Sequence, residues 1–171
     1  MITLVLGGAR SGKSEVAERL LPSLVAADAA AGGSVTYIAT GAATDPDMAA
    51  RIAAHQARRP ASWDTVEAGA DLAGVLRATA GPVLVDSLGT WVAAAPDFVV
   101  DRAAVCAALT ERRGDTVLVS DEVGLGVHPA TEVGRRFRDA LGEVNQEIAA
   151  VADDVLLVMA GRVLRLEAMV P

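Results

Sequence analysis

Short apolar runs alternate along this chain with longer amphipathic ones, and the hydrophobic period switches between strand and helix accordingly. Ile2-Thr3-Leu4-Val5-Leu6 has strand length, and the amphipathic run Glu15 to Val25 follows it across a glycine-rich turn. Ser34 to Thr40 reads as a second, β-branched strand after the Gly32-Gly33 turn. A helix is expected to start at Thr44 or Asp45, either of which can cap it, with Pro46 in its first position and Pro60 marking its end. Within it Met48, Arg51, Ile52 and His55 share one helical stripe. Ser62 to Glu67 is strand-like, Asp71 to Ala78 a short helix, and Val83-Leu84-Val85-Asp86 a strand ending in a carboxylate. Ser87 to Ala95 carries a short helix or turn. Arg102 to Arg113 is a helix closed by Gly114, and Asp115 to Ser120 is a buried strand followed by Asp121 and Glu122.

The longest helix is expected from Thr131 to Ala152, with Val133, Phe137, Leu141, Val144 and Ile148 on its apolar side, where Asn145 needs a partner if buried. Val155 to Met159 and Arg162 to Leu166, joined at Ala160-Gly161, read as a closing hairpin. Strands alternating with helices define an α/β domain spanning residues 1–171. Composition narrows the function. At 171 residues with 52% hydrophobic positions the chain builds an ordinary core, and a net charge of −7 opposes a nucleic-acid surface. Cys106 is the single cysteine, which excludes a disulfide framework or a thiolate metal cluster. No basic-then-apolar leader opens the sequence, and its longest uncharged stretch is broken by glycines, so a cytoplasmic protein with no membrane span is expected.

The chemistry centres on Gly7-Gly8-Ala9-Arg10-Ser11-Gly12-Lys13-Ser14, a P-loop between a strand and a helix. Its glycines let successive amides turn toward a phosphate, Lys13 reaches the outer phosphates, and the Ser14 hydroxyl can hold Mg²⁺. Asp86, at the tip of three apolar residues, fits the second Mg²⁺ position of such enzymes. Thr40-Gly41-Ala42 leaves a strand at the edge where α/β ligands sit; it is either a nucleotide contact or an ordinary loop. His55 is either a hydrogen-bonded core residue or a functional one, and Arg58 and Arg59 either favour a helix C-terminus or bind phosphate. The loop Val123 to Pro129 is either a lid or a connector.

Taken together, four stretches resemble the bifunctional adenosylcobinamide kinase/adenosylcobinamide-phosphate guanylyltransferase family. They are the P-loop; Tyr37-Ile38-Ala39-Thr40; the histidine helix leading through His55 into Arg59-Pro60, Trp63, Thr65 and Glu67; and Glu122-Val123-Gly124 through Phe137-Arg138-Asp139, Gly142 and Asn145-Gln146. The resemblance implies a RecA-like, mostly parallel sheet flanked by helices, closed by a C-terminal antiparallel strand, in a homotrimer. It implies phosphorylation of a corrinoid, adenosylcobinamide, by ATP or GTP, then transfer of GMP from GTP to the phosphate, with Mg²⁺. It places the guanylylated histidine at His55 and nucleotide contacts on the P-loop, Thr40 to Ala42, Gln56, Ala57, Arg58, Arg59, Glu67 and Asp86. The chain departs from the family pattern at Asp121, where Asn is common, and after Trp91, where Val92-Ala93-Ala94 replaces the usual continuation. The competing readings are a kinase that lacks guanylyl transfer and a non-catalytic nucleotide-binding switch.

Overall fold

A computed structural model describes residues 1–27, 34–41, 50, 53, 57 and 59–169. β1 (Ile2–Gly7) leads through the P-loop into α1 (Lys13–Ala27), and β2 (Thr36–Ala39) and β3 (Asp64–Glu67) follow. The chain continues through α2 (Leu72–Ala78), β4 (Val83–Asp86), α3 (Leu88–Ala94), a 3-10 turn at Pro96–Phe98 and α4 (Arg102–Glu111). β5 (Thr116–Asp121), α5 (Glu132–Val151) and the hairpin of β6 (Asp154–Met159) with β7 (Arg162–Leu166) complete it. The helix expected between Thr44 and Pro60 lies outside the described residues, apart from Ala50, Ala53 and Ala57, which are helical and exposed.

The strands form one sheet in the order β3-β2-β4-β5-β1-β6-β7. All neighbours are parallel except β6 and β7. This is the α/β arrangement with a closing hairpin that the sequence pattern predicts, and the mostly parallel sheet with an antiparallel closing strand that the family resemblance implies. Side-chain alternation divides the core between the two faces. Val5, Leu84, Val117 and Val119 pack with Ala17 and Leu21 of α1 on one face. Leu4, Val83, Val85 and Leu118 point to the other, where α2 to α5 supply Leu76, Leu88, Leu109 and Ile148. Val133, expected on the apolar side of α5, is instead 62% exposed in the first turn, before the helix reaches the sheet core at Leu141. Central strands buried on both sides explain why their sequences are nearly continuous apolar runs.

Helix starts follow the polar residues that precede them. Asp71, Asp101 and Thr131 each accept a hydrogen bond from the backbone amide three residues on. Ser87 and Thr90 form a reciprocal capping box on α3. α4 stops at Glu111, short of the Arg113 expected from sequence, because Arg112 leaves helical geometry at φ −68°, ψ 147°. Its guanidinium then donates to the carbonyls of Leu76 at 2.6 Å and Gly81 at 2.7 Å, satisfying groups at the end of α2 and in the turn before β4.

Strand register sets the working edge. Gly7 stands opposite Asp121, Ala39 opposite both Asp86 and Glu67, and Asp86 opposite Val119. The carboxyl ends of five parallel strands therefore bring Gly7, Asp121, Asp86, Thr40 and Glu67 to one edge. The connection from β1 crosses one face of the sheet and those from β4 and β5 cross the other, so a crevice opens beyond β1 and β5 where α/β folds bind ligands.

Candidate active site

The P-loop turns from Gly7 through Ser14 at the end of β1. Ser11 N–H donates to Gly8 O at 3.2 Å, and Val16 N–H to Gly12 O at 3.0 Å, beginning α1. Gly12 adopts φ +93°, which only glycine takes without strain, and a Cβ there would lie 3.5 Å from Gly161 in the β6–β7 turn. That turn braces the loop, Gly161 N–H donating to Ser11 O at 2.8 Å. Gly8, Ala9 and Arg10 are exposed along the turn. The Ser11 hydroxyl is buried with no hydrogen-bond partner among the described residues, a polar atom inside a loop shaped for an anion.

Lys13 is held across this loop. Its Nζ donates to Gly8 O at 3.3 Å and pairs with Asp121 Oδ1 at 2.7 Å. Asp121 ends β5, the strand beside β1, and its position rests on two neighbours. Gly89 of α3 leaves room for the carboxylate, since a Cβ there would come within 2.6 Å of Asp121 Oδ2. Asn145 of α5 donates from Nδ2 to Asp121 O at 3.1 Å and accepts from the Ser120 hydroxyl at 2.6 Å. The polar residue expected to need a partner on the apolar side of α5 thus clamps the tip of β5. Asp121 stands where the family resemblance leads one to expect Asn; its pairing with Lys13 depends on the β1–β5 register and has no local signal.

A second group surrounds Asp86, two strands from β1. Tyr37 OH donates to Asp86 Oδ2 at 2.9 Å, and the Arg59 guanidinium carbon lies 3.4 Å from the centre of the Tyr37 ring. Burial, then the neighbouring Asp86 carboxylate, push the Tyr37 phenol well above its ordinary range, against the opposing pull of Arg59. Arg59 also donates to Thr65 Oγ1 at 3.4 Å. Sequence reasoning missed Tyr37 as a site residue because in a β-branched strand a tyrosine reads as an ordinary strand former. Thr40 is buried and its hydroxyl is engaged at the turn after Asp86: it accepts from Ser87 N–H at 2.9 Å, donates to Ser87 O at 2.6 Å and lies 2.6 Å from the Thr90 hydroxyl. These bonds fasten β2 to the end of β4.

The structure therefore brings Gly7 to Ser14, Thr40, Gly41, Glu67 and Asp86 to the same edge of the sheet, while Arg59 precedes β3 and lies over Tyr37 and against Thr65. Ala57 is helical and exposed. His55, Gln56, Arg58 and Ala42 lie outside the described residues. As oxygen donors, the Ser14 hydroxyl and the Asp86 carboxylate are of the hard type that suits Mg²⁺ shared with phosphates. No helix among the described residues is long and apolar enough to cross a membrane.

A P-loop at the end of β1, with a lysine drawn across it and a strand-tip carboxylate two strands away, defines a P-loop nucleotide enzyme of the α/β class. Comparison with known proteins makes this specific: the family described as cobinamide kinase / cobinamide phosphate guanyltransferase matches residues 3–166, and the chain belongs to it. It is accordingly an enzyme of the kinase and nucleotidyltransferase class. It is 43% identical over 170 residues to the bifunctional adenosylcobalamin biosynthesis protein CobP of Pseudomonas aeruginosa, covering 94% of each chain. It is 38% and 36% identical to the proteins named bifunctional adenosylcobalamin biosynthesis protein CobU from Salmonella typhimurium and Escherichia coli, covering 94% of this chain and 97% of each relative.

Proposed function

We propose that this enzyme phosphorylates adenosylcobinamide with ATP or GTP and then transfers GMP from GTP to adenosylcobinamide phosphate, yielding adenosylcobinamide-GDP and pyrophosphate. The observation that supports this best is the phosphate-shaped turn with Lys13 drawn across it, in a chain of this family. In the first reaction the acceptor hydroxyl takes the γ-phosphoryl, its proton leaves to solvent, and the nucleoside diphosphate departs. The backbone amides of the turn and Lys13 hold the phosphate oxygens where charge shifts during transfer.

In the second reaction His55 attacks the α-phosphorus of GTP, pyrophosphate leaves, and the acceptor phosphate oxygen then displaces the imidazole. An imidazole with an ordinary pKa of about 6.5 is largely neutral at pH 7 and needs no separate base for this attack. Ser14 and Asp86 would hold Mg²⁺, which supplies charge neutralisation of the polyphosphate when bound. The nucleotide contacts are the P-loop, Thr40, Gly41, Ala42, Gln56, Ala57, Arg58, Arg59 and Glu67. The proposed setting is the cytoplasm, with the enzyme acting as a homotrimer.

The test uses GTP labelled at the α-phosphate. The chain has two histidines, His55 and His128, so peptide mapping of an acid-labile, base-stable label separates them. Label on the His55 peptide, chased to a corrinoid product by adenosylcobinamide phosphate, is expected. Label on the His128 peptide alone, or transfer undiminished in His55→Ala, would overturn the histidine assignment. Absence of any corrinoid product would overturn the function.

A further inference from the structure

A groove of about 920 Å³ runs from the end of β5 along α5 to the β6–β7 hairpin, on the opposite side of β1 from Asp86. It exists because α5 covers β1 while the hairpin extends beyond the helix. β7 is exposed along its whole length. Val155, opposite Leu166 in the hairpin register, faces the α5 layer, so Leu166 and, two residues before it, Leu164 point the same way. Leu166, 38% exposed, joins Leu6, Ala149 and Val155 in an apolar floor of the groove, and Leu164, 58% exposed, lies further along the same face of the hairpin.

Three observations mark this groove as a binding site. The first is its place: one end is the Glu122 to Gly124 turn, immediately after the Asp121 that pairs with Lys13. Glu122 N–H donates to Gly7 O at 3.1 Å, so the groove end is bonded to the P-loop itself. The second is the sequence. The Glu-Val-Gly turn, the Arg138-Asp139 pair and Gln146 carry the resemblance to the family yet are not among the nucleotide contacts proposed above, and all of them line this groove. The third is charge: five carboxylates, Glu122, Asp139, Glu143, Asp153 and Glu167, line the groove against two lining guanidinium groups, Arg138 and Arg165, with Glu143 also paired to Arg102 from α4. Arg138 is itself paired with Asp139 at 2.8 Å.

We propose that this groove binds the corrinoid, with its reacting arm reaching past Gly124 to the P-loop. The inference rests on the function proposed above and names the substrate's site within it. A corrinoid is a broad macrocycle with apolar ring faces, a rim of carboxamides and a positive charge at cobalt. An apolar floor bordered by excess carboxylate matches that combination and disfavours an anionic nucleotide. The volume sits near the top of the roughly 300–1,000 Å³ that small-molecule pockets span, as so large a ligand requires.

The experiment fills the groove from its helix wall with Ala150→Trp and, as a second variant, Gln146→Trp, both at exposed positions lining it. Cobinamide binding is read by equilibrium dialysis, GTP binding by calorimetry, self-labelling by α-labelled GTP, and mass by sedimentation. Cobinamide affinity should fall about tenfold or more in each variant, with GTP affinity, self-labelling and mass unchanged. Unchanged cobinamide affinity in both variants overturns the assignment. A loss accompanied by a change of mass also overturns it, since the groove is then a seam between copies. A wild-type protein that binds no cobinamide and makes no corrinoid product refutes the proposed function and the groove assignment with it; binding and product in the wild type, with both variants unaffected, refutes the groove alone.

Discussion

Replacing Asp121 by Asn should tighten nucleotide binding while slightly destabilising the fold. In the structure the Asp121 carboxylate holds Lys13 Nζ at 2.7 Å, with side-chain exposures of 35% and 13%. A bound polyphosphate must take Lys13 from that carboxylate and then lie beside the remaining negative charge, so both effects oppose binding. Unit charges about 4 Å apart interact by about 4 kcal/mol at an effective dielectric of about 20. Because Asp121 is more than a third exposed, solvent and salt screening reduce the usable part to about 1–2 kcal/mol. That corresponds to a roughly 5- to 30-fold lower Kd for GTP in Asp121→Asn. The amide is nearly isosteric, so the space beside Gly89 is kept, and the backbone carbonyl still accepts from Asn145. Calorimetric titration of Mg²⁺-GTP at low and high salt is the assay, and the gain should shrink as salt rises. Unfolding in urea should show a loss of about 0.5–1 kcal/mol. Unchanged or weaker GTP binding in a folded Asp121→Asn protein would refute the competition argument.

Two further outcomes follow from groups outside the phosphate cradle. Arg112→Met removes the donors to the Leu76, Thr79 and Gly81 carbonyls and should cost about 2–4 kcal/mol, read as a lower urea midpoint at constant m; an unchanged midpoint would contradict it. Tyr37 is the sole tyrosine, and its phenol is raised by burial and by Asp86, so its stabilising contribution is complete below the unfolded pKa of about 10 and is lost as pH rises toward the higher folded value. Phenolate absorbance should therefore appear near pH 10 in the denatured chain but only together with unfolding in the native one, and a native phenolate near pH 10 would count against the buried Tyr37–Asp86 bond.

What could be read from the sequence was what adjacent residues decide. The apolar run into Gly7 and the helix after Lys13 announce the P-loop within fourteen positions, and Val83 to Asp86 announces a strand ending in a carboxylate. The caps at Asp71 and Thr131 are equally local, and α2 and α5 begin where those residues predict. The pairing of Lys13 with Asp121 was not legible, because it requires β5 to lie beside β1 with Gly7 opposite Asp121. Tyr37 and Asp86 are separated by 49 positions and meet only through the β2–β4 pairing. The early end of α4 had the same origin: Arg112 is drawn out of the helix by carbonyls more than thirty residues earlier in the chain.

Asn145 shows how the two halves of the site are mechanically joined. Sequence periodicity puts it among apolar residues, a costly place for an amide unless both its donor and its acceptor are used. It uses both at one point: Ser120 and the Asp121 carbonyl, the last two residues of β5. On one side of that point Asp121 reaches Lys13, and on the other Glu122 begins the groove along α5. An apolar residue at 145 would leave the Ser120 hydroxyl and the Asp121 carbonyl without their partner and free the strand tip from the helix. The phosphate cradle and the groove would then no longer share a fixed boundary. On the groove assignment proposed above, an acceptor bound along α5 presents its arm to the P-loop across that boundary, and the two Asn145 bonds are what hold the boundary in place.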